Sequence, residues 1–308
     1  MPAISENFGD LLEPGLRKIF TEQYNQIPEM YQSIFNVNTT DKPYEKDSSV
    51  GAFGDMEPFN GHITYDEVYQ GYDVKYEFAE FAKGFKVERK LYDDDMYNII
   101  NRKPAGLSLS AKRTKEKYAA SVFNNAFSGA GSITVSGLTI LTNSEALSLC
   151  NSAHTSTAES GYTNQSNTGT SALSPVSVEA TRILGHAVTD DRGSLISINY
   201  DTILIPRALE ETAWTIINTT GKVDSAENNR NFHYGKYKLA IWDYLEGTKN
   251  WFMIDQAMSK MFLNWYTRIG LEFNQDKSFD TYIAKYSAYE RYGWGWSDWR
   301  WIFGHDVA

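Results

Sequence analysis

Apolar residues recur at three- and four-residue steps from Leu16 to Phe35: Leu16, Ile19, Phe20, Tyr24, Ile27, Tyr31, Ile34 and Phe35. That stripe predicts a helix interrupted at Pro28. It packs either on its own domain or as an arm on a neighbouring subunit. A helix followed by a polar loop has little chain around it, which favours the arm. From Val37 to Gly71 the periodicity collapses into Gly, Pro, Asp, Ser and Asn. The stretch is too long for an ordinary connection and predicts a loose hairpin. Its Val50, Phe53 and Phe59 are free to dock elsewhere.

Tyr72, Val74, Tyr76 and Phe78 then alternate with Asp73, Lys75 and Glu77, the pattern of a half-buried strand. Phe85 and Val87 predict a second short strand after a break at Lys83-Gly84. LYDDDMYNIINRKP predicts a short helix with Asp93, Asp94 and Asp95 in its first turn. The strongest helix is Leu107 to Phe127, a rod of about 30 Å. Ala111, Lys115, Tyr118, Ala119, Val122, Phe123, Ala126 and Phe127 mark one side. Lys112, Arg113, Lys115, Glu116 and Lys117 mark a wet side, and Gly129 and Gly131 end it.

Thr142 to Pro175 is polar and predicts exposed loop, then Val176 to His186 a helix. Thr202 to Ile205 is a strand. Pro206 opens a helix that turns Leu209, Ala213, Ile216 and Ile217 inward. Asp224 to Phe232 is a polar loop. Tyr237 to Trp242 and Trp251 to Ile254 read as buried strands. Asp280 to Arg291 alternates and leads into YGWGWSDWRWIFGHD. Trp294 and Trp296 are two apart, as are Trp299 and Trp301, so each pair lies on one face of a strand with Ser297-Asp298 as a turn between. That spacing favours a wall buried in a core or an interface over a ligand platform.

The chain has 308 residues, enough for one large or two modest domains. Aromatic residues make up 14%, with 20 Tyr, 16 Phe and 8 Trp. Such side chains are enriched where surfaces meet, which leans toward an assembling protein. The net charge of −10 argues against wrapping nucleic acid, because phosphate affinity comes mainly from Lys and Arg. The single cysteine, Cys150, rules out a disulfide framework and fits a reducing, cytoplasmic origin. MPAISENFGDLLEPG lacks the pattern of a secretory signal, and no run nears eighteen apolar residues.

Chemistry-bearing motifs are sparse. GAGS at Gly129 lacks the third glycine of a dinucleotide fingerprint and follows a helix. Cys150 and His154 lie four apart, but in a Ser/Thr-rich stretch rather than on a firm helix. His62, His154, His186, His233 and His305 are scattered. The best enzymatic alternative is carbohydrate hydrolysis. There the tryptophans would stack on sugars, with Asp243, Glu246 or Asp298 as the carboxylate pair.

Several runs carry a resemblance. GFKVERKLYDDDMYNII, LSLSAKRTKEKYAASVFNNAF, SAHTS with LSPVSVEAT, TILIPRALEETA and AKYSAYERYGWGWSDWRWIFG occur in this order from about Gly71 to Gly304. Together they resemble the major capsid proteins of tailed phages, the Mu-like major head subunit family above all. The resemblance implies an α+β chain with the HK97-type capsid fold. Its parts would be an N-arm (1–36), an extended E-loop (37–71), a P-domain (72–130 and 275–308) and an A-domain (131–274). The P-domain would combine the Leu107–Phe127 spine helix with a returning strand from Thr281 to Phe303.

The resemblance brings no catalytic residue, cofactor or metal. It implies copies of the chain as partners, in pentamers and hexamers, with scaffolding, portal and decoration proteins. Double-stranded DNA would lie inside without sequence-specific binding, and no membrane is involved. Assembly would take place in the host cytoplasm, with a separate scaffold expected. The expected assembly contacts are Leu16, Ile19, Phe20 and Tyr24 of the arm, Phe53 and Phe59 of the loop, and Trp294, Trp296, Trp299 and Trp301. Lys42 and Lys46 lie in the loop, where some relatives crosslink, but no motif names a partner. An encapsulin-like nanocompartment shares the fold; the prominent N-arm and E-loop favour the phage head.

Overall fold

A computed structural model describes residues 7–26, 28–67, 69–88, 90, 100, 102–157, 164–221, 229–278 and 283–308. Ile27, Asp93 to Asp95 and Thr281 lie outside them. The chain is mixed α+β. It begins with helix α1 (Asn7–Gln26), a one-turn helix α2 (Tyr31–Ile34), and strands β1 (Asn36–Thr39), β2 (Glu45–Val50), β3 (Gln70–Tyr76) and β4 (Ala79–Glu88). The long helix α3 (Arg102–Asn124) follows, then β5 (Ser132–Val135), β6 (Leu138–Asn143), β7 (Thr168–Gly169) and α4 (Pro175–His186). Next come β8 (Thr202–Ile205), α5 (Glu210–Asn218), β9 (Lys238–Ile241), β10 (Trp251–Ile254) and α6 (Gln256–Phe262). Two long strands, β11 (Leu263–Ser278) and β12 (Ile283–Trp296), lead to β13 (Ile302–His305).

The strands form three sheets, ordered β1-β11-β12-β4, β7-β13-β10-β8-β9 and β2-β3-β6-β5. The first is a long ribbon. β12 lies antiparallel between β11 and β4, and β1 adds a parallel edge to β11. Helix α3 lies over the ribbon: Tyr118 meets Phe81 of β4 at 4.9 Å and Trp294 of β12 at 5.2 Å between ring centroids. The second sheet is buried on both sides along β8 and β10, whose residues Thr202–Ile205 and Trp251–Ile254 are all buried. That matches their unbroken apolar runs. Helix α4 starts where Ser174 and Ser177 cap each other and Pro175 fixes the first turn.

Several sequence expectations change. The break at Lys83-Gly84 does not occur, because β4 pairs with β12 straight through it. Gly84 allows this: a Cβ there would stand 2.5 Å from the Tyr286 carbonyl oxygen. Residues from Val37 to Thr39, expected as loop, pair with Trp265 to Thr267. The expected single returning strand is two strands in two sheets, β12 and β13. Trp299 and Trp301 lie in the turn between them rather than on a strand face. The wet side of α3 is also only partly wet. Lys112, Lys115 and Glu116 are buried, because charged partners from elsewhere in the chain cover them. Among the described residues no helix is long and apolar enough to cross a membrane.

Candidate functional site

The tryptophan-rich tail is interior. Trp294 and Trp301 are 0% exposed, Trp299 is 4% and Trp296 is 5%. Gly293 and Gly295 explain the GWGW spacing. They lie on the strand face opposite the two indoles, where the β3–β4 junction and β6 cross close by. A Cβ on Gly293 would sit 2.3 Å from the Glu77 carbonyl oxygen, and one on Gly295 would sit 2.5 Å from Leu141 Cδ1. On the other face Trp294 packs on Tyr118 and, at 5.3 Å, on Trp265. Tyr292 stacks on Phe81 at 4.5 Å and on Trp265 at 4.7 Å. Trp301 meets Phe123 edge-on and donates its indole N–H to Asp298 O at 2.8 Å.

The chain itself therefore buries all four indoles. The surface they were expected to lend to a neighbour is already filled from within the subunit. Stacking on a sugar is excluded for the same reason. The carboxylates of that alternative are engaged separately: Asp243 pairs with Arg207 at 2.5 Å and Asp298 with Arg300 at 2.7 Å, while Glu246 is exposed.

The loop after β6 is polar but anchored. His154 is buried, with Nδ1 2.9 Å from Glu145 Oε1 and Nε2 3.1 Å from Asn167 Oδ1. Its ring stacks on Trp299 at 4.2 Å and 7°. Asn167 ties the loop to the tail. Its amide nitrogen donates to the carbonyls of Leu149, Trp299 and Ile302, and its oxygen accepts the Asn151 N–H. Sequence reading missed Asn167, which is one polar residue among many in a polar stretch. Cys150 is fully buried against Gly304, and burial pushes its thiol well up, away from nucleophilic use. Among the described residues no group of three or more His, Cys, Asp or Glu gathers as a metal site.

Helix α1 lies against α3 and the far end of the ribbon. Leu16 and Phe20 are buried in a small core with Leu107, Phe273 and Tyr286. Ile19 and Tyr24 are half-buried. A polar seam joins this N-terminal segment to α3. Lys112 faces Glu29 at 3.4 Å, and Lys115 reaches Glu290 at 3.0 Å and the Tyr24 hydroxyl at 2.7 Å. Glu116 accepts the N–H groups of Met30 and Tyr31, at 2.6 and 3.3 Å, and the Trp242 indole N–H at 2.7 Å. Burial raises the carboxyl pKa of Glu116 and Glu290.

The opposite case is the hairpin of β2 and β3 and the 51–69 segment between them. Gly51 N–H donates to Tyr69 O at 2.8 Å and Gly54 N–H to Asp66 at 2.6 Å, so the two limbs run together. Near the tip Gly61 adopts φ 103°, which suits glycine. Phe53 is 68% exposed and Phe59 77%, and Met56, Ile63 and Tyr65 are exposed with them. So many large apolar side chains on one projection mark an interaction surface. Lys42 and Lys46, nearer the base, pair with Glu45 and Asp73, each at 2.9 Å.

Comparison with known proteins gives one family. Residues 71–304 match the family model described as phage capsid protein. No curated protein matches the chain in sequence. The capsid structure of the cyanophage P-SCSP1u aligns with a TM-score of 0.59 at 9% identity, covering 91% of this chain and 88% of that one. A structure from Microbacterium phage Oxtober96 aligns at TM-score 0.56 and 7% identity, covering 92% of each chain. The bacteriophage JBD30 capsid aligns at 0.53 and 10% identity, covering 71% of this chain and 92% of that one. At these identities the likeness is one of fold.

Proposed function

The chain belongs to the phage capsid protein family, and we propose that it is the major head subunit, of the Mu-like kind, whose copies close into an icosahedral shell around a tailed-phage or prophage genome. In this reading residues 1–36 are the N-arm and the 37–71 region is the E-loop. Helix α3 and the long ribbon make up most of the P-domain (72–130 and 275–308), although β11 begins in the A-domain stretch at Leu263. The sheet around β10 with α4 and α5 makes up most of the A-domain (131–274), joined by β13 (Ile302–His305) from the P-domain stretch. The protein is structural, its place is the virion capsid, and its work is to bury surface on copies of itself.

The observation that carries the proposal is the contrast between the tail and the 51–69 arm of the E-loop, which is distinct from the N-arm. Every tryptophan of the tail is buried within one chain. Phe53, Met56, Phe59, Ile63 and Tyr65 of the arm are satisfied by nothing in it. A second copy supplies the missing contact, since a shell of identical subunits offers each arm the same neighbouring surface. The four indoles thus act on assembly through rigidity, holding the body from which the arm projects. The contacts made directly with a neighbour are Phe53 and Phe59, joined by the exposed edges of Ile19 and Tyr24.

The charge of −10 suits a container that must not adhere to packaged DNA. Pentamers and hexamers, scaffolding, portal and decoration partners, and assembly in the host cytoplasm all belong to this proposal. Electron microscopy of the purified chain, concentrated with and without a co-expressed scaffold, tests it. Closed shells or ring-shaped capsomers are expected. A monodisperse single subunit under every condition would overturn it.

A further inference from the structure

Residues 189–195 form a tight turn that the fold and family do not account for. It is closed by the Thr189–Leu195 bridge and by Asp190 N–H donating to Ser194 O at 2.8 Å. Asp190 Oδ1 accepts from the N–H groups of Arg192 and Ser194, both at 2.9 Å. The root of the turn is fixed to the interior. Thr189 exchanges two hydrogen bonds with the Gln165 side chain, at 2.8 and 3.0 Å, and Arg300 Nε donates to Thr189 O at 3.3 Å. Arg300 follows Trp299 in the buried tail.

From this anchored turn two side chains reach the base of the arm. The Asp191 carboxylate accepts the Ala52 N–H at 3.2 Å. Arg192 Nε donates to Ala52 O at 2.6 Å, and its Nη2 donates to Glu67 O. Its Nη1 lies 3.6 Å from Asp66, and the guanidinium sits 5.8 Å from the Tyr69 ring centroid. One guanidinium therefore grips both limbs of the arm. At Gly51 the turn and both limbs come close: a Cβ there would stand 2.9 Å from Asp191 Oδ2 and 3.2 Å from the Tyr69 carbonyl oxygen.

We propose that Asp191 and Arg192 are positioning residues for assembly: they clamp the base of the 51–69 arm to the subunit body and set the angle at which it leaves. The proposal rests on the shell reading above. Without the clamp the arm is carried by the outer end of the β2–β3 pair, Ser48–Val50 with Gln70–Asp73, beyond the Val74–Tyr76 pairing to β6, and a two-stranded end is a weak lever. Seven residues from Gly54 to the tip, at no more than about 3.3 Å each, reach at most about 23 Å beyond the clamp. A swing of about 10° then moves the tip by up to about 4 Å, the whole width of a side-chain contact. Lysine cannot replace the arginine, because two carbonyls on separate limbs need the planar fork.

The test uses the full chain before assembly, with nitroxide labels on Asn60→Cys at the tip and Ala180→Cys on exposed α4; Cys150 is buried and stays unlabelled. Electron–electron double resonance then gives the arm-to-body distance distribution. Arg192→Ala and Arg192→Lys are both expected to widen it at least two-fold while the thermal midpoint stays within about 3 °C. In assembly the same variants are expected to give at least a two-fold broader spread of particle diameters. Wild-type distance widths in both variants would overturn the clamp, as would a lowered midpoint with unchanged width. A widened arm with wild-type diameters would overturn its role in shell geometry. If the parent chain makes no particles, the shell reading fails, and the distance measurement on soluble subunits still decides the clamp.

Discussion

Trp294→Ala separates the interior from the arm most sharply. The Trp294 side chain is fully buried among Tyr118, Phe81, Trp265 and Tyr292. An indole that buries about 200 Å² stabilises by about 5 kcal/mol at roughly 25 cal/mol per Å². Its N–H has no partner among the described residues, so deleting it recovers about 1 kcal/mol of desolvation. The net loss is about 4 kcal/mol, within the range of Trp-to-Ala changes in cores. That is a large share of the ~5–15 kcal/mol by which a folded domain is stable. Phe59→Ala on the arm removes a ring that touches water in the single subunit, so its cost to folding is within about 0.5 kcal/mol. Urea unfolding of unassembled subunits measures both, with light scattering to follow assembly. Trp294→Ala should shift the midpoint strongly, whereas Phe59→Ala should leave it unmoved and suppress assembly. A loss below about 1 kcal/mol for Trp294→Ala, or normal assembly of Phe59→Ala, would refute the division of roles.

Three further outcomes follow from buried polar groups. His305 stacks on Trp251 at 4.1 Å, and burial lowers its pKa to about 4. The unfolded chain therefore binds the extra proton first: the stability is fully present above about pH 6.5 and is lost as pH falls through about 4. The swing is on the order of 3 kcal/mol, and the slope should flatten in His305→Phe when urea midpoints are compared between pH 7 and 4. Glu116→Gln keeps one acceptor for Met30 and Tyr31 but turns an NH₂ toward the Trp242 N–H. A loss of about 1–3 kcal/mol is expected, read from the unfolding midpoint, and Trp242→Phe in the same background should recover part of it. Asn167→Ala removes the amide that donates to the carbonyls of Leu149, Trp299 and Ile302. It should cost about 2–4 kcal/mol and raise hydrogen exchange in residues 149–157 before the rest of the chain.

What could be read from the sequence was whatever one element determines by itself. Thr202 to Ile205, the Pro175–His186 helix and the inward face of α5 follow from local periodicity and capping. Pairings between distant segments could not be read. Lys112, Lys115 and Glu116 look wet in α3 because periodicity records polarity and not partners. Glu29, Glu290 and Trp242, which bury them, lie 83, 175 and 126 residues away in the chain. Strand β11 was missed because its two-residue alternation is blurred by irregularities between Thr267 and Glu272. The tryptophans are buried, as their spacing suggested, but strand spacing could not show that Gly293 and Gly295 let a second sheet close on the opposite face of their strand, or that Trp299 and Trp301 lie in a turn. The arm was legible as polar, aromatic-tipped chain too long for a turn. Its clamp was not, because Asp191 and Arg192 in a polar turn look like any solvated pair.

The most direct test of the account is hydrogen exchange of residues 51–69, measured on soluble subunits and on assembled particles of the same chain. Amides near Phe59, beyond the hydrogen-bonded N–H groups of Gly51, Ala52 and Gly54, should exchange freely in the subunit and become protected at least ten-fold in the particle, while β10 and β12 stay equally protected in both. Particles in which those amides exchange as fast as in the free subunit would contradict it.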